Sequence, residues 1–173
     1  MIFIPRTTDP TGTALDTYWT TKNGQCVWYT IGRIREIAET PKWAPDRAWP
    51  VTLGSIQQAK QIYPNADEVN GWIRDGNTPS LGAIACWTGT DGHCMDVEEI
   101  NGNQITLSGY NFPDSLQFNL LTYDLSTIIN NNIPGLGAFQ GFVRNPYVDD
   151  LETLVAMIYR TKKNDKEFMI KLI

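Results

Sequence analysis

Gly24-Gln25-Cys26-Val27-Trp28-Tyr29 is the stretch from which the rest of the chain can be read. Behind it, Val27, Ile31, Ile34 and Ala38 fall at i, i+4, i+7 and i+11, the spacing of one apolar stripe on an amphipathic helix. Asn23-Gly24 supplies turn chemistry ahead of the start and Thr40-Pro41 a stop at the far end, so a helix is expected from Cys26 to about Glu39. Cys26 then lies in the first helical turn, where unpaired N–H groups and the positive dipole end favour a thiolate. The competing reading is a buried structural cysteine, the common fate of an isolated Cys. The surrounding chain decides between them.

With 173 residues, the chain is long enough for one domain with a real core. Hydrophobic residues make up 42% and charged residues 19%, a globular composition and not a disordered one. The net charge of −5 and the lack of any Lys/Arg run exclude a nucleic-acid binder, and disfavour direct electrostatic capture by an anionic wall. No stretch approaches the roughly 18 apolar residues of a membrane span. Met1-Ile2-Phe3-Ile4-Pro5-Arg6 lacks the order of a signal peptide, so the expectation is a soluble protein made without its own export signal. Cys26, Cys86 and Cys94 are an odd set without a C-x-x-C pair, neither a disulfide framework nor a zinc pattern. Cys86 and Cys94 read as packing residues. The single histidine, His93, is the one possible base for any Cys–His chemistry near neutral pH.

In chain order, residues 1–23 read as an irregular arm and 41–50 as a loop with Trp43 and Trp49 as anchors. Ser55 with Gln58 is a capping-box signature for a short helix over 56–62, and 67–74 reads as one further turn. From Gly82 the texture changes to strands: 82–87, a run from His93 through Ile100, the hairpin signal Asn101-Gly102, and the return 104–110. Segments 116–121 and 138–143 are two more strands. Helices first and an antiparallel meander afterwards indicate an α+β fold, with N-terminal helices packed on an antiparallel sheet. A domain over 1–145 is expected, followed by a C-terminal helix or linker over 146–173, the helix at 149–161.

A thiol nucleophile needs a base within hydrogen-bond reach and a third group that orients the base. Cys26 on a helix start and His93 opening a strand, 67 residues later, supply the first two. Across the Asn101-Gly102 turn, period-2 alternation puts Ile105, Leu107, Gly109 and Asn111 on one face, so Asn111 is the candidate orienter of the imidazole. Asp96 and Glu98 lie an odd number of residues from His93, hence on the opposite strand face, and rank below Asn111.

These residues resemble CHAP domains, the cysteine- and histidine-dependent amidohydrolases/peptidases, from about Tyr18 to Arg144 and in consistent order. Gly24-Gln25-Cys26-Val27-Trp28-Tyr29 with Arg33 is similar to their nucleophile motif. Gly82-Ala83-Ile84-Ala85, Gly92-His93, Val97-Glu98-Glu99-Ile100-Asn101-Gly102, Asn111-Phe112 and Gly141-Phe142-Val143-Arg144 are similar to the strands that follow. Two departures stand out. Many members carry Glu or Asp where this chain has Gly109, and the acidic calcium loop of some members is missing from 20–24.

The resemblance implies a papain-like core, Cys26 as nucleophile and His93 as base; with Gly109 in place of an acid the third role falls to Asn111, and without the acidic loop no metal is expected, nor any cofactor. It implies acyl transfer on a peptidoglycan amide, as N-acetylmuramoyl-L-alanine amidase or stem or cross-bridge endopeptidase. The Cys26 N–H and Gln25 are the expected oxyanion donors, and Trp87 the expected substrate contact, with Trp72 and Trp43 further candidates for a groove. A phage lysin, monomeric, released through a holin-made pore or carried on a virion, and with a separate wall-binding domain, fits this reading. Two alternatives stay open: a wall-binding module on the same fold with catalysis lost, motivated by Gly109, and another cysteine acyl-transfer enzyme.

Overall fold

In the structure, a computed structural model, the described residues are 3–10, 18, 25–39, 58–112 and 116–148. The expected helix forms as α1, Cys26–Ile37. Single turns of 3-10 helix follow at Ala59–Gln61 and Glu68–Asn70. The strands are β1 (Arg74–Gly76), β2 (Ile84–Trp87), β3 (His93–Asn101), β4 (Gln104–Tyr110), β5 (Phe118–Asp124) and β6 (Phe139–Val143), and α2 (Leu125–Ile129) lies between the last two. They make one antiparallel sheet in the order β1-β6-β2-β3-β4-β5. The fold is the α+β arrangement that the sequence indicates. The C-terminal helix expected at 149–161, the capping Ser55, and the Trp43 and Trp49 anchors lie outside the described residues. No described helix is long and apolar enough to cross a membrane.

Alternation along β3 sends its residues to two different layers. Met95 and Val97 join Trp87, Leu107, Ile128 and Phe142 in the larger apolar cluster. Cys94, Asp96 and Glu98 point the other way, toward α1. Hydrogen bonds from Thr30 and Arg33 of the helix reach that face.

The helix face that meets them is not the expected stripe. Val27, Ile31 and Ala38 are only partly buried, whereas Cys26, Tyr29, Thr30, Arg33, Ile34 and Ile37 are buried. The buried face is rotated by about one residue because its partner strands present polar groups, and polar side chains on α1 pair with them. Arg33 binds Glu98 at 2.7 Å and Glu36 at 2.6 Å. Tyr29 donates to Ser108 at 2.8 Å, and Ser108 donates to Glu98 at 2.6 Å. The Arg6 backbone N–H also reaches Glu98, at 2.7 Å, which ties residues 3–10 to the same cluster. A buried arginine–carboxylate pair is tolerable because the guanidinium and both carboxylate oxygens are hydrogen-bonded.

Candidate active site

Cys26 opens α1 and His93 opens β3, and both line a cleft of about 670 Å³ together with Gln25, Ala59, Asn111 and Phe112. Two loops, 88–92 and 135–137, form its rim. The approach to His93 requires glycine. Gly92 has φ +74°, and a Cβ there would collide with the Lys60 backbone, which donates its N–H to the Asp91 carbonyl at 3.2 Å. That close crossing fixes where β3 begins and hence where the imidazole sits.

The surroundings of Cys26 favour its thiolate. Its pKa is lowered to about 4, first by a hydrogen bond from the Cys94 thiol and then by His93, through a hydrogen bond and its charge. The Cys94 backbone N–H adds to this, and together these outweigh the burial that opposes ionisation. His93 stands between the rings of Trp87, at 6.3 Å, and Phe112, at 5.4 Å, which limit its tilt. Its Nε2 is buried without a hydrogen-bond partner, leaving Nδ1 as the nitrogen that serves Cys26.

Asn111 reaches the cleft by a different route from the one period-2 alternation gives. Its φ is +61°, and at this left-handed residue the alternation of β4 reverses. Ser108 and Tyr110 face the helix, with Tyr110 against Trp28 at 5.4 Å, yet Phe112 joins the opposite cluster. The Asn111 side chain turns to the helix start and donates to Gln25 Oε1 at 3.0 Å. It makes no bond to His93, so the expected orienting role is corrected to a contact with Gln25. Gly109, where many CHAP domains carry an acid, offers nothing to Nε2. A Cβ there would stand 3.0 Å from Met95 Cγ.

Trp87 is corrected as well. It is fully buried in the apolar layer behind His93, packed on Phe139 at 5.4 Å, and presents no surface to a substrate. Trp72 is equally buried. Sequence reading also treated Cys94 as packing only. The signal for its larger role lies in two spacings, Cys26 and Thr30 at i, i+4 on the helix and Cys94 and Asp96 at i, i+2 on the strand. Among the described residues no group of three or more His, Cys, Asp or Glu could hold a metal ion.

Residues 16–111 match the family model described as CHAP domain. No curated protein matches the chain. Among solved structures, the crystal structure of Ly7917 aligns with TM-score 0.51 and 18% identity, over 76% of this chain and 58% of that one. The crystal structure of Ly7917 with the hydrolyzing product of MDP gives 0.52 and 17% over the same shares. An N-acetylmuramoyl-L-alanine amidase from Staphylococcus aureus gives 0.46 and 18%, over 68% of this chain and 31% of that one. The chain thus spans less than two thirds of the length of each of these structures, and the likeness to Ly7917 is one of fold.

Proposed function

Because this chain belongs to the CHAP domain family, we propose that it is a thiol-dependent peptidoglycan hydrolase whose nucleophile is Cys26 and whose base is His93. The observation that carries the reading is the pairing itself: a cysteine at a helix start, its pKa lowered by its neighbours, and the only histidine of the chain line one open cleft. A thiolate at the positive end of a helix beside an imidazole is chemistry for acyl transfer. A fold neighbour solved with the hydrolyzing product of MDP supports a hydrolytic role.

In this reaction the Cys26 thiolate attacks the amide carbonyl, and negative charge moves to the carbonyl oxygen. The Cys26 backbone N–H and the Gln25 amide stabilise it, with Gln25 held in place by Asn111. His93 gives its proton to the nitrogen as the C–N bond breaks and the amine departs. Water, deprotonated by His93, then cleaves the thioester and frees the carboxylic acid. Either an amidase or an endopeptidase cut satisfies this geometry, and a phage lysin is the setting we favour.

Digestion of purified Gram-positive walls tests the assignment, with muropeptide products read by mass spectrometry. Wild-type protein should release new amine ends, and Cys26→Ala and His93→Ala should each lose about 1000-fold or more in rate. Full activity in either variant would remove that residue from the mechanism. The product masses also name the scissile bond.

A second reading draws on the unpartnered Nε2 of His93 and on Gly109: the fold retained as a wall-binding module without catalysis. It predicts wall pull-down with no released product, and a Cys26 that alkylates like an ordinary thiol with pKa near ~8.5.

A further inference from the structure

Thr30 follows Cys26 by one helical turn, and Cys94 and Asp96 are alternate residues of β3, so two side chains of the helix meet two of the strand. The four form one line. Cys94 lies in the same buried cluster as Cys26, and its thiol is the first cause of the lowered Cys26 pKa. The Thr30 hydroxyl lies 3.5 Å from Cys94 Sγ and 2.8 Å from Asp96 Oδ2. Thr30, Cys94 and Asp96 have no exposed surface and none of them lines the cleft. The hydrolytic steps use none of the three.

A hydroxyl and a thiol each carry one hydrogen, and that restricts which way the line can run. The hydrogen of Thr30 serves Cys94 or Asp96 and not both. Asp96 Oδ1 is buried without a partner, a poor place for a carboxylate. Burial pushes this carboxyl up to about 8, so near neutral pH it is the acid. As an acid, Asp96 donates to Thr30, Thr30 donates to Cys94 and Cys94 donates to the Cys26 sulfur. Every donor then points toward the nucleophile. Ionised, Asp96 takes the Thr30 hydrogen for itself, leaves Cys94 unsupported and adds a negative charge behind the thiolate.

We propose that Asp96, Thr30 and Cys94 are positioning residues, a buried hydrogen-bond relay headed by Asp96 that stands behind the Cys26 sulfur. The relay rests on the reading of Cys26 as nucleophile and is independent of the substrate. The other groups facing Cys26 are His93 from the start of β3 and Cys86 from β2. Those facing Asp96 are Glu98 from its own strand, Arg33 and Tyr29 from α1, and Cys86 from β2. Glu98 is paired with Arg33, so Asp96 is the member of this set whose ionisation adds an uncompensated charge.

The test is alkylation of Cys26 by iodoacetamide as a function of pH, with the modified residue located by peptide mass spectrometry and folding checked by circular dichroism. In Cys94→Ala and Thr30→Val the acid midpoint should rise by at least about one pH unit, which is tenfold less thiolate at a fixed acidic pH. Cys94→Ser restores a donor and should bring the midpoint back. Asp96→Asn, an amide that can donate but cannot ionise, should keep the acid midpoint and lose a second inflection near the Asp96 pKa of about 8. If Cys94→Ala does not fold, Thr30→Val against Thr30→Ser makes the same comparison. Unmoved midpoints, or an alkaline inflection that persists in Asp96→Asn, would overturn the relay. Wall digestion run in parallel keeps the two readings apart: a relay titration as expected with no digestion sinks the hydrolase and leaves the relay standing.

Discussion

Asn111 shows how one residue can carry a role that its position in the alternation misassigns. The sequence identifies it as polar, beside the site and at the end of a strand, and all of that holds. Its left-handed φ is what the pattern cannot convey, because alternation assumes an extended backbone at every step. Asparagine is among the few residues that adopt this conformation readily, so its identity was a usable hint. The resulting contact with Gln25 makes a separable prediction. Asn111→Gly, which keeps the backbone, should slow wall digestion by about tenfold, a fraction of the ~100-fold or more attached to an oxyanion donor. It should leave the pH dependence of Cys26 alkylation unmoved, because Asn111 bonds to Gln25 and not to His93. A shifted alkylation profile in this variant would return Asn111 to the imidazole. Trp87 teaches the complementary lesson. An aromatic beside a strand end looks like a groove wall, but four consecutive buried residues in β2 mark a central strand, where both faces are covered.

At the scale of elements, α1 was legible in its position and misread in its orientation. Start, stop and period are local signals, and they locate the helix to within two residues of its observed end. Which face is buried depends on the partner, and the sheet offers α1 a carboxylate, a carboxylic acid, a serine and a cysteine. A search for apolar stripes passes over a helix whose inner face is Thr30 and Arg33. The Arg33–Glu98 pair is almost completely removed from solvent, with exposures of 3% and 1%. Breaking one side should therefore be expensive. Arg33→Met is expected to destabilise the protein by about 3–5 kcal/mol, by stranding Glu98, and Glu98→Leu in the same chain should recover part of the loss. Thermal melting of the two variants measures both numbers. A single variant that melts like the wild type would show that Glu98 finds another partner, with Arg6 and Ser108 already in place to provide it.

Across the whole molecule, the strand order β1-β6-β2-β3-β4-β5 puts β3 near the middle of the sheet, and the first residue of that strand is His93, the proposed base. The hairpins from β2 to β5 are adjacent in sequence and were legible as a meander. The return of β6 to the far side of β2, and the short β1 beside it, are long-range pairings that no local pattern announces. Stability should carry the mark of the two displaced ionisations. Cys26 has a depressed pKa in the folded state, so its contribution is present at higher pH and is lost as pH falls toward about 4. Asp96 has a raised pKa, so its contribution is fully present below the ordinary value of 3.8 and is lost as pH rises toward about 8. Denaturant titrations of Cys26→Ala should thus show stability falling with pH between these limits, and those of Asp96→Asn should show it rising, each more steeply than wild type.

The neutral Asp96 and the ionised Cys26 also bear on heat. Near pH 6 the unfolded chain holds a carboxylate at Asp96 and a thiol at Cys26, from ordinary values of 3.8 and 9.0, while the folded protein holds the reverse. Folding therefore relocates one proton from sulfur to oxygen inside the molecule and hands none of it to the solvent. Calorimetric unfolding near that pH should draw no buffer ionisation enthalpy from this pair, so that phosphate and Tris give the same value for it. Substituting either residue alone opens the exchange, and the unfolding enthalpy then becomes a function of the buffer, with opposite signs for the two variants.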